Sequence, residues 1–212
     1  TLYDKKANPI RVFFRNGELG TGGYNQTDSK FDFTNKVLYT VTEHKRINSD
    51  SPLITREDFT YTEQDRLLSH YHKIGNNTPQ LLAFHVYDEL GRLESKKVGK
   101  SVQNPLQKVD YKYNVRGWMV AINDINDLAQ TGDPTDLFAF KINYNQVTNS
   151  NGQMITPLFN GNIAETFWKT NSDNQLRSYS YKYDHLNRLE DAIYFKNNSL
   201  NQVYNEHLTY DK

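Results

Sequence analysis

The stretch YDELGRL, residues 87–93, decides the fold, because copies of it recur along the chain at a regular spacing. The other copies begin at Tyr61 (YTEQDRL), Tyr113 (YNVRGWM) and Tyr183 (YDHLNRL), with a looser one at Tyr3 (YDKKANPI) and the start of another at Tyr210 (YDK). Tyr61, Tyr87 and Tyr113 are 26 residues apart, and Tyr183 and Tyr210 are 27 apart. The interval of 70 residues from Tyr113 to Tyr183 can hold two or three divergent units, with INYN at 142–145 and FNGNIAETFW at 159–168 as their visible remnants. A fixed period of this length predicts a repeat protein in which each repeat is one supersecondary unit.

Positions two and five of each copy have the chemistry of a tight turn. Position two carries side chains that can bond to backbone N–H groups two residues further on, namely Asp88, Asn114, Asp184 and Thr62. Position five carries residue types that tolerate a left-handed backbone, namely Gly91, Gly117, Asn187 and Asp65, with Ala7 in the degenerate first copy. The repeat therefore predicts a β-hairpin whose type I turn closes on a left-handed residue that forms a bulge.

The segments beside the turns alternate as half-buried strands do. Tyr111 and Tyr113 fall on one face of a strand while Asp110 and Lys112 fall on the other, and residues 179–183 alternate likewise. Further strands are predicted at 10–15, 36–44, 58–62, 67–73, 80–87, 92–98, 118–123, 138–145, 163–169 and 189–195. The polar stretches 16–29 and 147–153 are predicted loops, and NDINDLAQ at 123–130 is the one helix candidate. Together these patterns predict an all-β fold of consecutive antiparallel hairpins in a curved sheet, a single array over residues 1–212.

Composition narrows the classes of function. The 25 basic residues balance the 25 acidic ones, so no net field draws in nucleic acid or an anionic membrane. The chain has no cysteine, which excludes disulfides and thiolate zinc sites. No apolar run approaches the roughly 18 residues of a membrane span. We therefore expect neither a nucleic-acid partner nor membrane insertion.

The recurring YDxxGR pattern at 87–92, with its variants at 3, 61, 113 and 183, resembles the YD repeat of bacterial RHS proteins, which are related to the shells of insecticidal toxin complexes and of teneurins. DYKYNVRGWM at 110–119 and FNGNIAE at 159–165 also resemble stretches of the bacterial branch. The resemblance implies a strip of β-hairpins that spirals into a hollow shell, and this chain is then expected to be a segment of a longer shell.

The same resemblance implies a function and a location. The resemblance implies that the shell encloses a toxic C-terminal segment of the same polypeptide, so the expected partners are the remaining YD repeats, that segment and the secretion machinery of a bacterial polymorphic toxin. The expected location is secreted or at the cell surface. Shells that cleave themselves carry Asp-Pro followed two positions later by glycine, whereas Asp133-Pro134 is followed here by Thr135-Asp136. We therefore predict no self-cleavage in this segment.

Candidate catalytic and metal-binding residues give weak patterns. His70 and His72 would share one strand face, but a zinc site normally takes three or four protein ligands. Asp88 and Glu89 are adjacent, so they cannot face each other across a glycosidic bond. GTGG at 20–23 lacks the Lys-Ser/Thr of a phosphate-binding loop. We predict no enzyme activity, no cofactor and no metal.

Arginine recurs at position six, as Arg66, Arg92 and Arg188, whereas Trp118 replaces it in one copy. Such an arginine can stack on an aromatic ring of the neighbouring hairpin or pair with a turn acid. The residues predicted to carry the function are therefore those that build the repeat turns, namely Tyr87, Asp88, Gly91, Arg92, Tyr113, Gly117, Tyr183, Asp184, Asn187 and Arg188. The alternative is a cell-surface module that binds carbohydrate or a protein partner with exposed aromatic side chains.

Overall fold

Strands account for nearly all regular structure in this computed structural model, which describes residues 1–16, 22–148 and 155–211. Within these ranges the only helical segment is a single 3-10 turn at Gln202–Tyr204. The strands are β1 (Leu2–Tyr3), β2 (Pro9–Asn16), β3 (Gly23–Phe31), β4 (Val37–Lys45), β5 (Leu53–Tyr61), β6 (Leu67–Ile74), β7 (Gln80–Tyr87), β8 (Leu93–Val98), β9 (Gln107–Tyr113), β10 (Met119–Ile122), β11 (Phe138–Asn143), β12 (Glu165–Thr170), β13 (Arg177–Tyr183), β14 (Leu189–Lys196), β15 (Ser199–Leu200) and β16 (Glu206–His207). The predicted all-β fold of antiparallel strands is confirmed.

The first of two compact units comprises Thr1–Gly91 and Lys96–Leu106. In it, β1 to β7 pair antiparallel with their neighbours in chain order. Thr42 of β4 lies opposite Thr27 of β3 and Thr55 of β5, which places three β-branched residues in one cross-strand row. The register shifts next to the turns, at Leu2/Tyr3, Lys30/Phe31 and Thr60/Tyr61. These shifts are the bulges that a left-handed closing residue produces.

The second unit comprises Arg92–Ser95 and Gln107–Lys212, so the boundary between the units divides β8 after Ser95. Strands β9 to β15 pair antiparallel in chain order, and β16 also pairs with β14. That residues 1–212 form a single repeat array stays a prediction.

The two units differ in how deeply they bury their side chains. Residues of β3 to β6 are mostly half-buried on both faces, as in a sheet one layer thick. Among the described residues of the first unit, only Leu81 and Ala83 are buried hydrophobic residues. The second unit buries a larger set, namely Leu128, Ala139, Ile142, Ala164, Phe167, Ala192, Tyr194 and Phe195.

Two local predictions were wrong. The predicted loop 16–29 contains most of β3, because the polar residues from Tyr24 to Ser29 complete their backbone hydrogen bonds with β2 and β4. The helix candidate 123–130 forms only bends, and Asn123 has a left-handed φ of 56° that no helix interior accepts. Part of the GTGG stretch, residues 20 and 21, and most of the predicted loop 147–153 lie outside the described residues.

Candidate functional site

Six turns share one geometry, and they begin at position one with Tyr3, Phe31, Tyr61, Tyr87, Tyr113 and Tyr183. In each, the backbone N–H of position five donates to the carbonyl oxygen of position two at 2.8–3.3 Å. The side-chain oxygen of position two accepts the backbone N–H of position four at 2.8–3.3 Å. Position five is left-handed throughout, with φ between 62° and 80° at Ala7, Asn35, Asp65, Gly91, Gly117 and Asn187. The short polar side chain at position two and the residue at position five therefore build the same turn each time.

One of these six turns has no counterpart in the predicted set. This copy comprises residues 31–36, FDFTNK. It has Phe31 at position one, where the other full copies have tyrosine. It has Lys36 at position six, where the other full copies have arginine except for Asn8 and Trp118. Asp32 nevertheless accepts the backbone N–H groups of Thr34 and Lys36 at 2.8 and 2.9 Å. The asparagine at position five was the signal that could have identified this copy, because Asn187 fills the same place in the last full copy.

The tyrosine at position one has a role that the sequence pattern did not reveal. Its hydroxyl donates to a backbone carbonyl oxygen of the preceding repeat, at position seven where that repeat is a full copy and at Ile163 where it is the remnant FNGNIAETFW. The bonds are Tyr61 to Val37 (2.8 Å), Tyr87 to Leu67 (2.8 Å), Tyr113 to Leu93 (3.0 Å), Tyr144 to Met119 (3.2 Å), Tyr183 to Ile163 (3.0 Å) and Tyr210 to Leu189 (2.7 Å). Tyr144, from the remnant INYN, and Tyr210, from the incomplete last copy, obey the same rule.

The side chain at position six packs against the face of the same tyrosine ring. The cationic group lies over the ring of the next repeat for Lys36 and Tyr61 (5.6 Å), Arg66 and Tyr87 (5.7 Å), Arg92 and Tyr113 (4.9 Å) and Arg188 and Tyr210 (4.3 Å). Where Trp118 replaces the arginine, its ring packs against that of Tyr144 with centroids 5.1 Å apart. We call this combination, a tyrosine held at its hydroxyl by position seven and at its ring by position six of the preceding repeat, the tyrosine clasp.

Gly91 is packed more tightly than Gly117, although both occupy position five. A Cβ atom at Gly91 would lie 2.0 Å from Nη2 of Arg66, whereas a Cβ at Gly117 would meet nothing within 4 Å. The arginine of one clasp thus lies directly on the turn of the next repeat, and any side chain at Gly91 would have to displace the Arg66 guanidinium.

The pKa values of the turn acids Asp32 and Asp184 lie below their ordinary value. Burial raises the pKa of Asp32, but the hydrogen bonds from Lys36 and Thr34 outweigh it and lower that pKa to about 2. The backbone N–H of Arg188 is the main cause that lowers the pKa of Asp184, and the guanidinium of Arg188 adds to it through Nε at 2.7 Å. Since Asn114 accepts the same backbone bonds without a charge, the turn needs an acceptor oxygen rather than a titrating group.

Other polar groups are buried away from the turns. Asp136 is 6% exposed, and burial together with the charges of Asp110 and Asp133 raises its pKa to about 6. Lys108 lies between those two neighbours, with Nζ 3.1 Å from Asp110 and 2.8 Å from Asp133. Glu165 is fully buried and accepts the amide of Asn143 at 2.9 Å.

The histidines and acids weighed as a metal or catalytic site do not converge. The ring of His70 stacks on Phe59 at 4.4 Å, and no group of three or more potential ligands able to hold a metal ion is found in the described part of the chain. Asp88 accepts the backbone N–H of Leu90 within its turn, and Glu89 is exposed beside it. The described ranges also contain no helix long and apolar enough to cross a membrane.

Comparisons with known proteins find similarity in structure alone. No protein-family model and no curated protein sequence matches the chain. Among solved structures, the crystal structure of TcdB2-TccC3-TEV matches 98% of this chain with 12% sequence identity and a TM-score of 0.44. The chain spans 12% of the length of that protein. At this identity and TM-score the similarity decides nothing about family or activity.

Proposed function

We propose that the chain is a structural segment of an RHS/YD-repeat β-shell without catalytic activity of its own. The tyrosine clasp is the observation that carries this proposal, because it uses the recurring tyrosine and the recurring position-six side chain to join one repeat to the next. In a repeat protein, stability is a sum of repeat and interface terms, so a residue that recurs at successive interfaces serves the array as a whole.

The tyrosine rows support a structural role over a binding role. Tyr179, Tyr181 and Tyr183 are half-buried, and burial is the main cause that raises the pKa of each. The Tyr179 ring lies 5.8 Å from that of Trp168 on the neighbouring strand, and the Tyr181 hydroxyl lies 2.9 Å from that of Thr166. A module that binds carbohydrate through these rings would present them to solvent.

The wider role follows from the resemblance of the repeat to YD-repeat proteins. The wall isolates a C-terminal toxin segment of the same polypeptide, and its partners are the remaining repeats and a secretion machinery. The protein then acts outside the cell or at its surface.

Protease protection in the complete product of the native gene tests this proposal. We expect the segment that follows residue 212 to resist protease while the wall is folded. It should become cleavable when clasps are removed, as in a Tyr87→Ala/Tyr113→Ala double variant. A Tyr39→Ala variant alters a tyrosine outside the clasps. At the same denaturant concentration, it should keep that segment protected for longer than the double variant does. Equal cleavage in the folded wild type and in the clasp variant, or the lack of any such segment in the gene, would overturn the proposal.

A further inference from the structure

Two histidines on neighbouring strands of the first unit bury ring nitrogens that lack a hydrogen-bond partner. His70 of β6 lies opposite Ala83 of β7, and His85 follows Ala83 by two residues, so both histidines project from the same face of the sheet. Within the described residues, neither Nε2 of His70 nor Nδ1 of His85 has a hydrogen-bond partner, although both atoms are buried. Buried polar groups are normally paired, so two unpaired ones on adjacent strands are unusual.

The surroundings of His70 accept a positive charge. Its ring stacks on that of Phe59 with centroids 4.4 Å apart. Its Nε2 lies 3.7 Å from Oε1 of Glu57 on β5, which is too far for a hydrogen bond but close enough for an ion pair once the ring is protonated. A protonated His70 therefore has a carboxylate beside it.

The surroundings of His85 oppose a positive charge. Burial is the main cause that lowers the pKa of His85 from its ordinary value of 6.5, and the charges of Lys96 on β8 and of His70 lower it further, while the backbone of Leu68 offsets them in part. Because this pKa is lower in the folded chain, neutral His85 stabilises the fold fully above about pH 6.5, and the contribution is lost as the pH falls.

The remaining neighbour of His85 brings no negative charge. Its ring stacks on that of Tyr87 with centroids 6.3 Å apart, and the guanidinium of Arg66 lies 5.7 Å from the centre of the Tyr87 ring. In the part of the chain that the structure describes, no ion pair joins His85 to a carboxylate. A proton on His85 therefore lies among cations, whereas a proton on His70 lies beside Glu57.

The strands that carry these histidines also pair imperfectly at the same place. The register between β6 and β7 shifts between His70 and Tyr71. Leu82 of β7 is left without a partner opposite it, because its neighbours Leu81 and Ala83 pair with successive residues of β6. Such a bulge disrupts the ladder locally. The ladder between β4 and β5 shows no shift of this kind.

We propose that β6 and β7 form an acid-sensitive seam, in which a proton on His85 at acidic pH separates these two strands locally while β3 and β4 stay paired. His70 adds to the effect, because its protonation beside Glu57 brings a further positive charge close to His85. This property does not depend on the proposed role of the chain in a shell. In a shell it provides a local opening that responds to acid.

Hydrogen exchange at two pH values tests the seam in the unaltered chain. After correction for intrinsic exchange rates, the protection of β6 and β7 amides should fall by roughly threefold to tenfold between pH 7.5 and pH 5.5. Tenfold is about the limit for one histidine that stays neutral while the strands are paired. The protection of β3 and β4 amides should fall less. An equal fall in both sets, or no fall in β6 and β7, would overturn the proposal.

A histidine replacement identifies the group that senses acid. His85→Phe keeps an aromatic ring that cannot be protonated, so the protection of β6 and β7 should become nearly independent of pH over this range. His44→Phe, at an exposed position of β4, should keep the acid response of the wild type. An undiminished response in His85→Phe would overturn the proposal, because another group would then sense the acid.

A lysine replacement tests the same arrangement with both histidines in place. In Lys96→Gln the NMR titration of the His85 ring should move to higher pH, because a neighbouring cation is lost. The protection of β6 and β7 should then depend less on pH. Lys73→Gln is the matched control, since Lys73 lies on β6 but on the opposite face from His70. An unchanged His85 titration in Lys96→Gln, or an equal shift in Lys73→Gln, would also overturn the proposal.

Discussion

Tyr87 shows what a single hydroxyl group contributes to the joining of two repeats. Its oxygen donates to the carbonyl oxygen of Leu67 at 2.8 Å, and the guanidinium of Arg66 covers its ring. Replacement of the tyrosine by phenylalanine keeps the ring contact and removes only the hydrogen bond. The hydroxyl and the ring therefore make separable contributions to the clasp.

We expect Tyr87→Phe to lower the free energy of unfolding by about 1 kcal/mol, the usual net value of one hydrogen bond with a half-buried acceptor. Tyr39→Phe is the matched control, since its ring is also covered by an arginine, Arg56 at 4.2 Å, while its hydroxyl has no partner among the described residues. Urea denaturation measures the free energy of unfolding of both variants. Equal losses in the two variants would contradict the importance of the hydroxyl bond.

Alanine substitutions at Gly91 and Gly117 separate the cost of backbone strain from the cost of a steric clash. Both have a left-handed φ, 77° and 80°, so alanine at either position should cost about 1–2 kcal/mol of unfolding free energy. Gly91→Ala should cost about 0.5–1 kcal/mol more, because the new Cβ displaces Arg66 from the Tyr87 ring. In an Arg66→Ala background this excess should vanish, and an excess that persists there would show that Arg66 is not its cause.

The lowered pKa of Asp32 predicts that the protein loses stability in strong acid. Because its pKa is lower in the folded protein than its ordinary value of 3.8, its carboxylate stabilises the fold above about pH 4, and this contribution is lost as the pH falls towards about 2. Asp32→Asn keeps the acceptor oxygen that Asn114 provides in another turn and should flatten the stability profile between pH 4 and pH 2. Glu63→Gln, at an exposed position of the neighbouring turn, serves as the control. An unchanged profile in Asp32→Asn would be inconsistent with this account.

At the scale of single elements, the connection between β10 and β11 contains a buried acid, Asp136, whose charged form lowers the free energy of unfolding. Asp136 has a raised pKa of about 6, so its protonated form stabilises the fold at low pH and this contribution is lost as the pH rises through about 6. We expect Asp136→Asn to raise the free energy of unfolding at pH 7.5 by about 2 kcal/mol and to leave it nearly unchanged at pH 4. A gain of equal size at both pH values would point to packing rather than charge as the cause.

The elements also show how far sequence patterns predict this fold. Strands such as β7 and β9 were predicted closely because their hydrophobic and aromatic residues alternate beside a turn with Asp or Asn and Gly. Strand β3 was missed because its residues are polar on both faces and its strand character comes from pairing with β2 and β4. The turn chemistry of Asp184 and Asn187 follows from residue type, whereas the partner of the Tyr183 hydroxyl, 20 residues away at Ile163, depends on the register between repeats.

At the scale of the whole molecule, the two units should differ in local stability. The second unit contains most of the buried hydrophobic residues, including Phe167 and Phe195, while the strands of the first unit are half exposed on both faces. Opening free energies rise with buried apolar contacts.

Native-state hydrogen exchange measures this difference. After correction for intrinsic exchange rates, amides of β12 to β14 should exchange much more slowly than those of β3 to β5. Equal protection in the two sets would mean that backbone pairing, rather than side-chain burial, governs local opening here.

The direction of the tyrosine clasp bears on how the protein is made. Each donor hydroxyl lies 20 to 25 residues after its acceptor carbonyl in the sequence, as Tyr87 does after Leu67 and Tyr144 after Met119. A ribosome therefore releases every acceptor before the tyrosine that uses it, and synthesis gives N-terminal segments the first opportunity to fold. Each hairpin can fasten to a completed one as soon as it emerges, so the chain can grow from its N-terminus without waiting for its last residues.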